Sequence, residues 1–200
     1  MRHPSRMALP AALLALLGAA ARLQAADASS PPHYVLDPAK STLEFNFTQA
    51  GAQNKGRFAR FQVFLDFAPE NLPASHLEVT IQMNSLDTGD QERDDTLRDN
   101  DLFAVKKFPQ AHFSAAQIQK TPSGYEAVGK LTIRDISREV RVPFTLRTAT
   151  EAGVSAGYMS GKTTIRRLDY GVGQGDWKAT DQVGNDVGVS FALRLTSTGH

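Results

Sequence analysis

Strict alternation of apolar and polar positions runs along most of the chain and predicts strands. Leu43, Phe45 and Phe47 alternate with Glu44, Asn46 and Thr48, and Leu77, Val79, Ile81 and Met83 alternate with His76, Glu78, Thr80 and Gln82. Between these two runs, Phe58 is followed by Phe61, Val63, Leu65 and Phe67, a slip from even to odd spacing that predicts a bulge or kink near Ala59. Gln110–Gln119 carries Ala111, Phe113, Ala115 and Gln117 on one face, and Tyr125–Ile133 carries Ala127, Gly129, Leu131 and Ile133. Val140, Val142, Phe144 and Leu146 follow, then Val154–Arg166, and last Asp186–Thr198 with Val187, Val189, Phe191, Leu193 and Leu195. Pro143 fits such a strand only where its missing donor faces no partner. Tyr34–Asp37 reads as an edge segment ahead of the first strand.

These runs make eight strands, joined mostly by hairpin-length turns and with no helix of crossover length, so an all-β, antiparallel fold is expected. One apolar face per strand lets such a sheet close into a barrel, which removes both edges, or split into a sandwich; the barrel is the preferred reading. One long interruption stands out, Asn84–Phe113. It holds seven carboxylates (Asp87, Asp90, Glu92, Asp94, Asp95, Asp99, Asp101) and the apolar anchors Leu97, Leu102, Phe103, Val105 and Phe108. Asp90–Asn100 reads as a short helix with an acidic first turn, inserted between the third and fourth strands, and an insertion of this length suits a cover over an opening.

The first 28 residues follow another pattern. Arg2 and Arg6 precede an Ala/Leu-rich run from Met7 to Ala21, with small residues at Ala25, Ala26 and Ala28. This predicts a secretory signal peptide cleaved near residues 25–28, and the apolar run is too short for a membrane anchor. Residues 29–33 read as a linker and 34–198 as one domain. The 200-residue chain has no cysteine, which excludes disulfides, thiolate metal sites and a lipid-modified N-terminal Cys. A soluble periplasmic protein of a bacterium is the expectation. Of the 22 Lys and Arg, three lie before residue 29, as does one of the 21 Asp and Glu, leaving 19 basic and 20 acidic residues. No basic excess remains for a nucleic-acid backbone or an anionic membrane.

Candidate chemistry is sparse. Gly153-Val-Ser155-Ala-Gly157 matches the nucleophile-elbow pattern G-x-S-x-G, but it sits at a hairpin followed by a strand, whereas the elbow needs a following helix. Gly171-Val-Gly173-Gln-Gly175 resembles a phosphate-cradling loop without its helix; a flexible loop and a backbone nest for an anionic head group are both open. His33, His76, His112 and His200 show no paired spacing, so no metal site is expected. The carboxylate run lacks a calcium-loop signature and reads as a solvated, salt-bridged helix. No catalytic residues are assigned.

Ser85-Leu-Asp-Thr88, Arg93-Asp94, Leu97, Asp101-Leu-Phe103, Phe108-Pro-Gln-Ala-His-Phe113, Gly129-Lys-Leu-Thr-Ile133 and Arg167-Leu-Asp-Tyr-Gly171 occur in an order and spacing that resemble the YceI family of lipid- and polyisoprenoid-binding proteins. Gly175-Asp-Trp177 and Val183-Gly-Asn-Asp-Val187 resemble a branch of it with a Trp-containing loop before the last strand. The resemblance covers Tyr34 to about Thr196. Three histidines common in the family are absent: this chain has Lys40-Ser41, Thr48-Gln49 and Thr96 in their places, and Asp135-Ile-Ser137 replaces a Gly-Val-Thr turn.

The resemblance implies an eight-stranded, lipocalin-like antiparallel barrel holding a long isoprenoid or fatty chain, such as a quinone or polyprenyl lipid, as ligand. It implies no other cofactor. Alternation then nominates Phe45, Phe47, Phe58, Phe61, Val79, Ile81, Phe113, Leu131, Phe144 and Phe191 as lumen residues. Arg93, Arg167 and Trp177 are nominated for the mouth, with structural roles equally open: Arg93 against a neighbouring carboxylate, Arg167 against Asp169. The alternatives are an interaction protein with a filled barrel acting through its charged insertion, and a lipid-modifying enzyme.

Overall fold

The computed structural model describes residues 30–198, so the expected signal peptide falls outside the described residues. Three long strands near the N-terminus are each broken once. β1 (His33–Leu36) and β2 (Thr42–Gln49) are parted by a 3-10 turn at Pro38–Lys40, β3 (Ala52–Phe58) and β4 (Phe61–Asp66) by Ala59 and Arg60, and β5 (His76–Gln82) and β6 (Leu86–Asp87) by a 3-10 turn at Met83–Ser85. Helix α1 (Gln91–Arg98) follows, and then five uninterrupted strands: β7 (Gln110–Thr121), β8 (Gly124–Ile133), β9 (Ile136–Glu151), β10 (Val154–Arg166) and β11 (Asp186–Ser197).

Every pairing is antiparallel, and the sheet closes. β1 lies between β4 and β11, with Val35 opposite Phe64 on one side and Thr196 on the other, which completes a ring of eight strands. Tyr34–Asp37, expected as an edge segment, therefore falls mostly within β1 (His33–Leu36), the strand that closes the barrel. A free edge here would leave a row of unpaired N–H and C=O groups, and ring closure removes it. Further along, β11 exchanges β1 for β2, which pairs with β3, which pairs in turn with β6. The kink at Ala59 is held by Ser85: its carbonyl accepts from Ala59 N–H (3.0 Å), its hydroxyl accepts from Arg60 N–H (3.0 Å), and the same hydroxyl donates to the Gln82 carbonyl (2.7 Å). Pro143 sits where its lost donor costs little, one residue past Phe144↔Gly161, the last rung of the β9–β10 ladder.

The alternation in β7 is interrupted by a bulge between Ser114 and Gln117. Past it the inward phase shifts, so Ile118 is buried and Gln117, expected on the apolar face, is exposed. Gly129 accommodates the bulge, since a Cβ there would collide with the Ser114 carbonyl oxygen and lie 2.6 Å from the Ala115 Cβ.

The barrel has a filled end and a hollow end. At the filled end, Phe67, Tyr125 and Phe144 interlock, Phe67 edge-on to Tyr125 at 4.9 Å and Tyr125 stacked on Phe144 at 5.6 Å. Val63, Leu65, Leu77, Ala115, Ala127 and Leu195 pack above them, fully buried. At the hollow end α1 and the segment after it contribute side chains to the wall of the opening, among them Arg93, Leu97 and Phe103.

Candidate ligand-binding site

A cavity of about 540 Å³ occupies the hollow end. Its mouth lies between the β2–β3 hairpin tip (Gln49, Ala50, Ala52, Asn54) and one face of α1 (Asp90, Glu92, Arg93, Thr96), where polar and exposed residues gather. Its interior is apolar. Phe45 and Phe47 come from β2, Leu97, Leu102 and Phe103 from the insertion, Ile133 and Ile165 from the ends of β8 and β10, and Val172, Trp177, Val183 and Val187 from the last loop and the start of β11.

The insertion is fixed by its ends and its middle. Asp90 caps α1 by accepting from Arg93 N–H (3.1 Å), and the Asp90 and Arg93 side chains pair at 3.5 Å. Buried Asp94 accepts from both the backbone N–H (2.9 Å) and the hydroxyl (2.7 Å) of Thr88, which ties the helix to the strand before it. Arg98 reaches back to the Leu86 carbonyl (2.7 Å), and Arg134 donates to the carbonyls of Asn100 (3.0 Å) and Leu102 (2.5 Å). Leu102 and Val105 then pack with Met83, Ala111, Ile133, Tyr170 and Val172 in a second cluster, separate from the filled end. Asp87 is held below the usual carboxylate range by the N–H of Gly89 and by Arg57, its ion-pair partner at 2.8 Å.

The last loop is held from within by Arg167. Its side chain is buried, and its guanidinium donates to four backbone carbonyls: Gly184 (3.0 Å), Val172 (2.9 Å), Ala179 (3.3 Å) and Val183 (2.7 Å). Asp169, the partner anticipated for Arg167, pairs with Arg166 at 2.8 Å instead. Burial lowers the Arg167 pKa, yet a guanidinium stays charged in a protein, so the carbonyl dipoles carry its compensation. Gly173 touches the guanidinium so closely that a Cβ would overlap Arg167 Nη1, and its φ of +117° suits glycine alone. The Gly171–Gly175 loop does not present a free nest: the N–H groups of Gly173 (2.9 Å) and Gln174 (2.8 Å) both donate to the Asp101 carbonyl, clamping the insertion to the loop.

The nominated residues divide between the two ends. Phe45, Phe47, Arg93, Arg167 and Trp177 line the cavity. Phe61, Val79, Phe113 and Phe191 surround a second void of only about 60 Å³, nearer the filled end. Phe58, Ile81 and Leu131 pack between the two, and Phe144 belongs to the aromatic plug. Absent from the nominated set are Leu97, Leu102, Phe103, Ile133, Ile165, Val172, Val183 and Val187, which form most of the cavity's apolar wall. The first three were visible as apolar anchors in a charged insertion; Ile133, Ile165 and Val187 sit at strand ends, where alternation gives no axial position, and Val172 and Val183 lie in the last loop, where there is no alternation to read.

Ser155 lies within β10, with its hydroxyl 3.5 Å from the Tyr34 hydroxyl, and forms no elbow. Among the described residues no cluster of His, Asp or Glu is arranged to hold a metal ion. His76 pairs with Glu78 (2.7 Å) and His112 with Thr80 (3.3 Å). Among the described residues no helix is long and apolar enough to cross a membrane.

Comparison with known proteins agrees with this architecture. A profile of the YceI-like domain matches residues 34–195. BcnA of Burkholderia cenocepacia superposes with a TM-score of 0.72 at 31% identity, over 80% of this chain and 98% of that one. A polyisoprenoid-binding domain from Saccharophagus degradans has the same fold, with a TM-score of 0.61 at 16% identity over 82% of this chain and 98% of that one. A UPF0312 protein of Yersinia enterocolitica is 38% identical over 85 residues, a match that spans 42% of this chain and 44% of that relative.

Proposed function

The chain belongs to the YceI-like family, and on that premise we propose that it is a periplasmic binding protein that shelters the apolar tail of an isoprenoid or fatty lipid, a quinone or polyprenyl lipid among them, in the barrel cavity. The observation that carries this reading is the cavity itself: about 540 Å³, polar at the mouth and apolar inside, within the range of small-molecule sites. A tail enters past α1 and the β2–β3 tip, while a polar head stays at the mouth beside Gln49, Asn54, Arg93 and Thr96. Each five-carbon unit transferred from water hides on the order of 100 Å², about 2.5 kcal/mol. Association costs about 4–15 kcal/mol in lost freedom, so several units are needed for useful affinity. Nothing in this mechanism breaks a bond; the protein acts by hiding a tail from water. The signal-peptide pattern of residues 1–28 supports export, and the polyisoprenoid-binding domain of the same fold supports the ligand class.

The test is titration of the purified protein with a prenylated phenol, read by fluorescence of Trp177, the single tryptophan and a cavity-lining residue. Saturable quenching or a spectral shift with one-to-one stoichiometry is expected. A flat signal, together with no bound species by native mass spectrometry, overturns the proposal.

A further inference from the structure

A groove lies on the outer wall of the barrel. Along the paired strands β10 and β11, Met159 and Leu193 face the core, while Tyr158 and Ser160 face outward opposite Arg194 and Ala192. These four outward residues, with Lys40 and Glu151, line a concavity of about 450 Å³ that shares no residue with the large cavity. Its floor is small and polar: Ser160 and Ala192 are exposed, and the Ser160 hydroxyl is 3.1 Å from that of Thr145 on β9. One wall is held by ion pairs. Arg194 donates to Asp37 (2.8 Å) and Glu151 (2.6 Å), the Tyr158 hydroxyl also donates to Glu151, and the Arg147 guanidinium lies 4.3 Å over the Tyr158 ring. Arg147 and Arg194 thus balance the charges of Asp37 and Glu151, and Arg194 Nε is buried with no hydrogen-bond partner among the described residues. Lys40, on the 3-10 turn between β1 and β2, forms the other wall, and its exposed ammonium makes no hydrogen bond or ion pair among the described residues. Lys162, the next outward residue of β10 after Ser160, is exposed and equally unpaired. Glu44 shares its rung but stands two strands away, beyond Ser190.

We propose that this outer groove is a second binding site, separate from the lumen, which takes the phosphate group of a small soluble phosphate ester between Lys40 and Lys162, over the Ser160 hydroxyl. The wall of arginines and carboxylates is balanced, so Lys40 and Lys162 leave the groove with a surplus of positive charge. The planar fork of Arg194, which suits a carboxylate, is already engaged by Asp37 and Glu151. The free cations are ammonium groups, compact point charges that suit a small dianion. Ser160 can accept from Thr145 and donate to a phosphoryl oxygen at the same time, since a hydroxyl does both. The volume of about 450 Å³ is within the range of small-molecule sites. No bond is made or broken there; the groove holds an anion by charge and hydrogen bonding.

The experiment is a titration of the purified protein with glycerol 3-phosphate, with acetate and glycerol as comparators, followed by backbone amide chemical shifts. Glycerol 3-phosphate should shift the amides around Lys40, Ser160 and Ala192 saturably, while glycerol shifts none and acetate binds at least about fivefold more weakly. Lys40→Gln should weaken the ester about fivefold or more, and Ala192→Phe, which fills the floor, should abolish its binding. Lys130→Gln, which removes an exposed lysine elsewhere on the wall, should leave the affinity at the wild-type value. Circular dichroism checks the fold of each variant, and the Trp177 response to a prenylated phenol should be unchanged in Lys40→Gln, since the lumen is a different site. An affinity for the ester in Lys40→Gln equal to that of wild type overturns the proposal, as do shifts that never saturate and acetate binding as tight as the ester. Flotation of the protein with phosphatidylglycerol vesicles, with no response to the soluble ester, also overturns it and makes this face a membrane contact.

Discussion

Replacing Arg167 with Met removes the one side chain that ties four carbonyls of the last loop together while conserving most of its apolar stem. Two of its hydrogen bonds, to Val172 and Val183, are fully buried. Each carbonyl left unpaired there costs about 1–3 kcal/mol. The bonds to Gly184 and Ala179 are partly buried and can be replaced by water. Against this, the variant no longer desolvates a cation that has no carboxylate partner among the described residues, which returns part of the loss. The expected net destabilisation is about 2–4 kcal/mol, read as a lowered urea midpoint. Hydrogen exchange should quicken selectively across residues 172–185, because the loop loses its internal support while the strands keep their ladders. Arg167→Lys separates support from charge: a lysine retains the positive charge but cannot donate in four directions from a planar fork, so it should behave like Met in both assays. Unchanged protection of residues 172–185 in Arg167→Met would refute the reasoning. Full stability in Arg167→Lys with loss only in Arg167→Met would show that charge, and not the fourfold latch, is what the loop requires.

The two ends of the barrel should respond differently to mutation. Phe144→Ala, in the aromatic plug, should cost about 3–5 kcal/mol of stability yet leave affinity for a bound tail nearly unchanged, as measured by chemical denaturation and Trp177 titration. Val187→Trp, which projects into the large cavity, should abolish tail binding while leaving the thermal midpoint within a few degrees of wild type. Acid sensitivity follows from Glu151, which hydrogen bonds from Arg194 (2.6 Å) and then Tyr158 hold below its ordinary pKa of 4.5. A carboxylate depressed in this way adds stability that is present above the unfolded value and is lost as pH falls through the folded one. The stability gap between wild type and Glu151→Gln should therefore narrow as pH drops from about 6 to about 3 in a thermal-melt series.

Much of the barrel was legible because alternation is a direct consequence of a pleated strand with one buried face. The period of two from Leu43 to Leu195 gave the eight strands, and the slip at Ala59 gave the kink. His33–Leu36 was harder to read: a four-residue strand carries too few alternations to reveal that it pairs on both sides. Gln117 was misplaced because a bulge inverts every inward position after it, and the cause, a glycine at position 129 facing Ser114, lies on another strand. The site was legible by face but not by depth. Phe45, Phe61 and Phe144 look alike in sequence, yet they occupy the cavity, the small void and the plug, since position along the barrel axis depends on register between strands. Arg167 appeared to have an acidic neighbour in Asp169, but the guanidinium turns inward to carbonyls 5 to 17 residues away in sequence, a set of acceptors that no side-chain pattern announces.

The central claim is that the hollow end holds an apolar tail, and the most direct measurement is native mass spectrometry of the protein recovered from its own cellular compartment, with organic extraction of whatever travels with it. The account predicts a discrete added mass from a prenyl or acyl species, extractable into organic solvent and missing from Val187→Trp. A protein of bare polypeptide mass that also takes up no added prenyl lipid would contradict it.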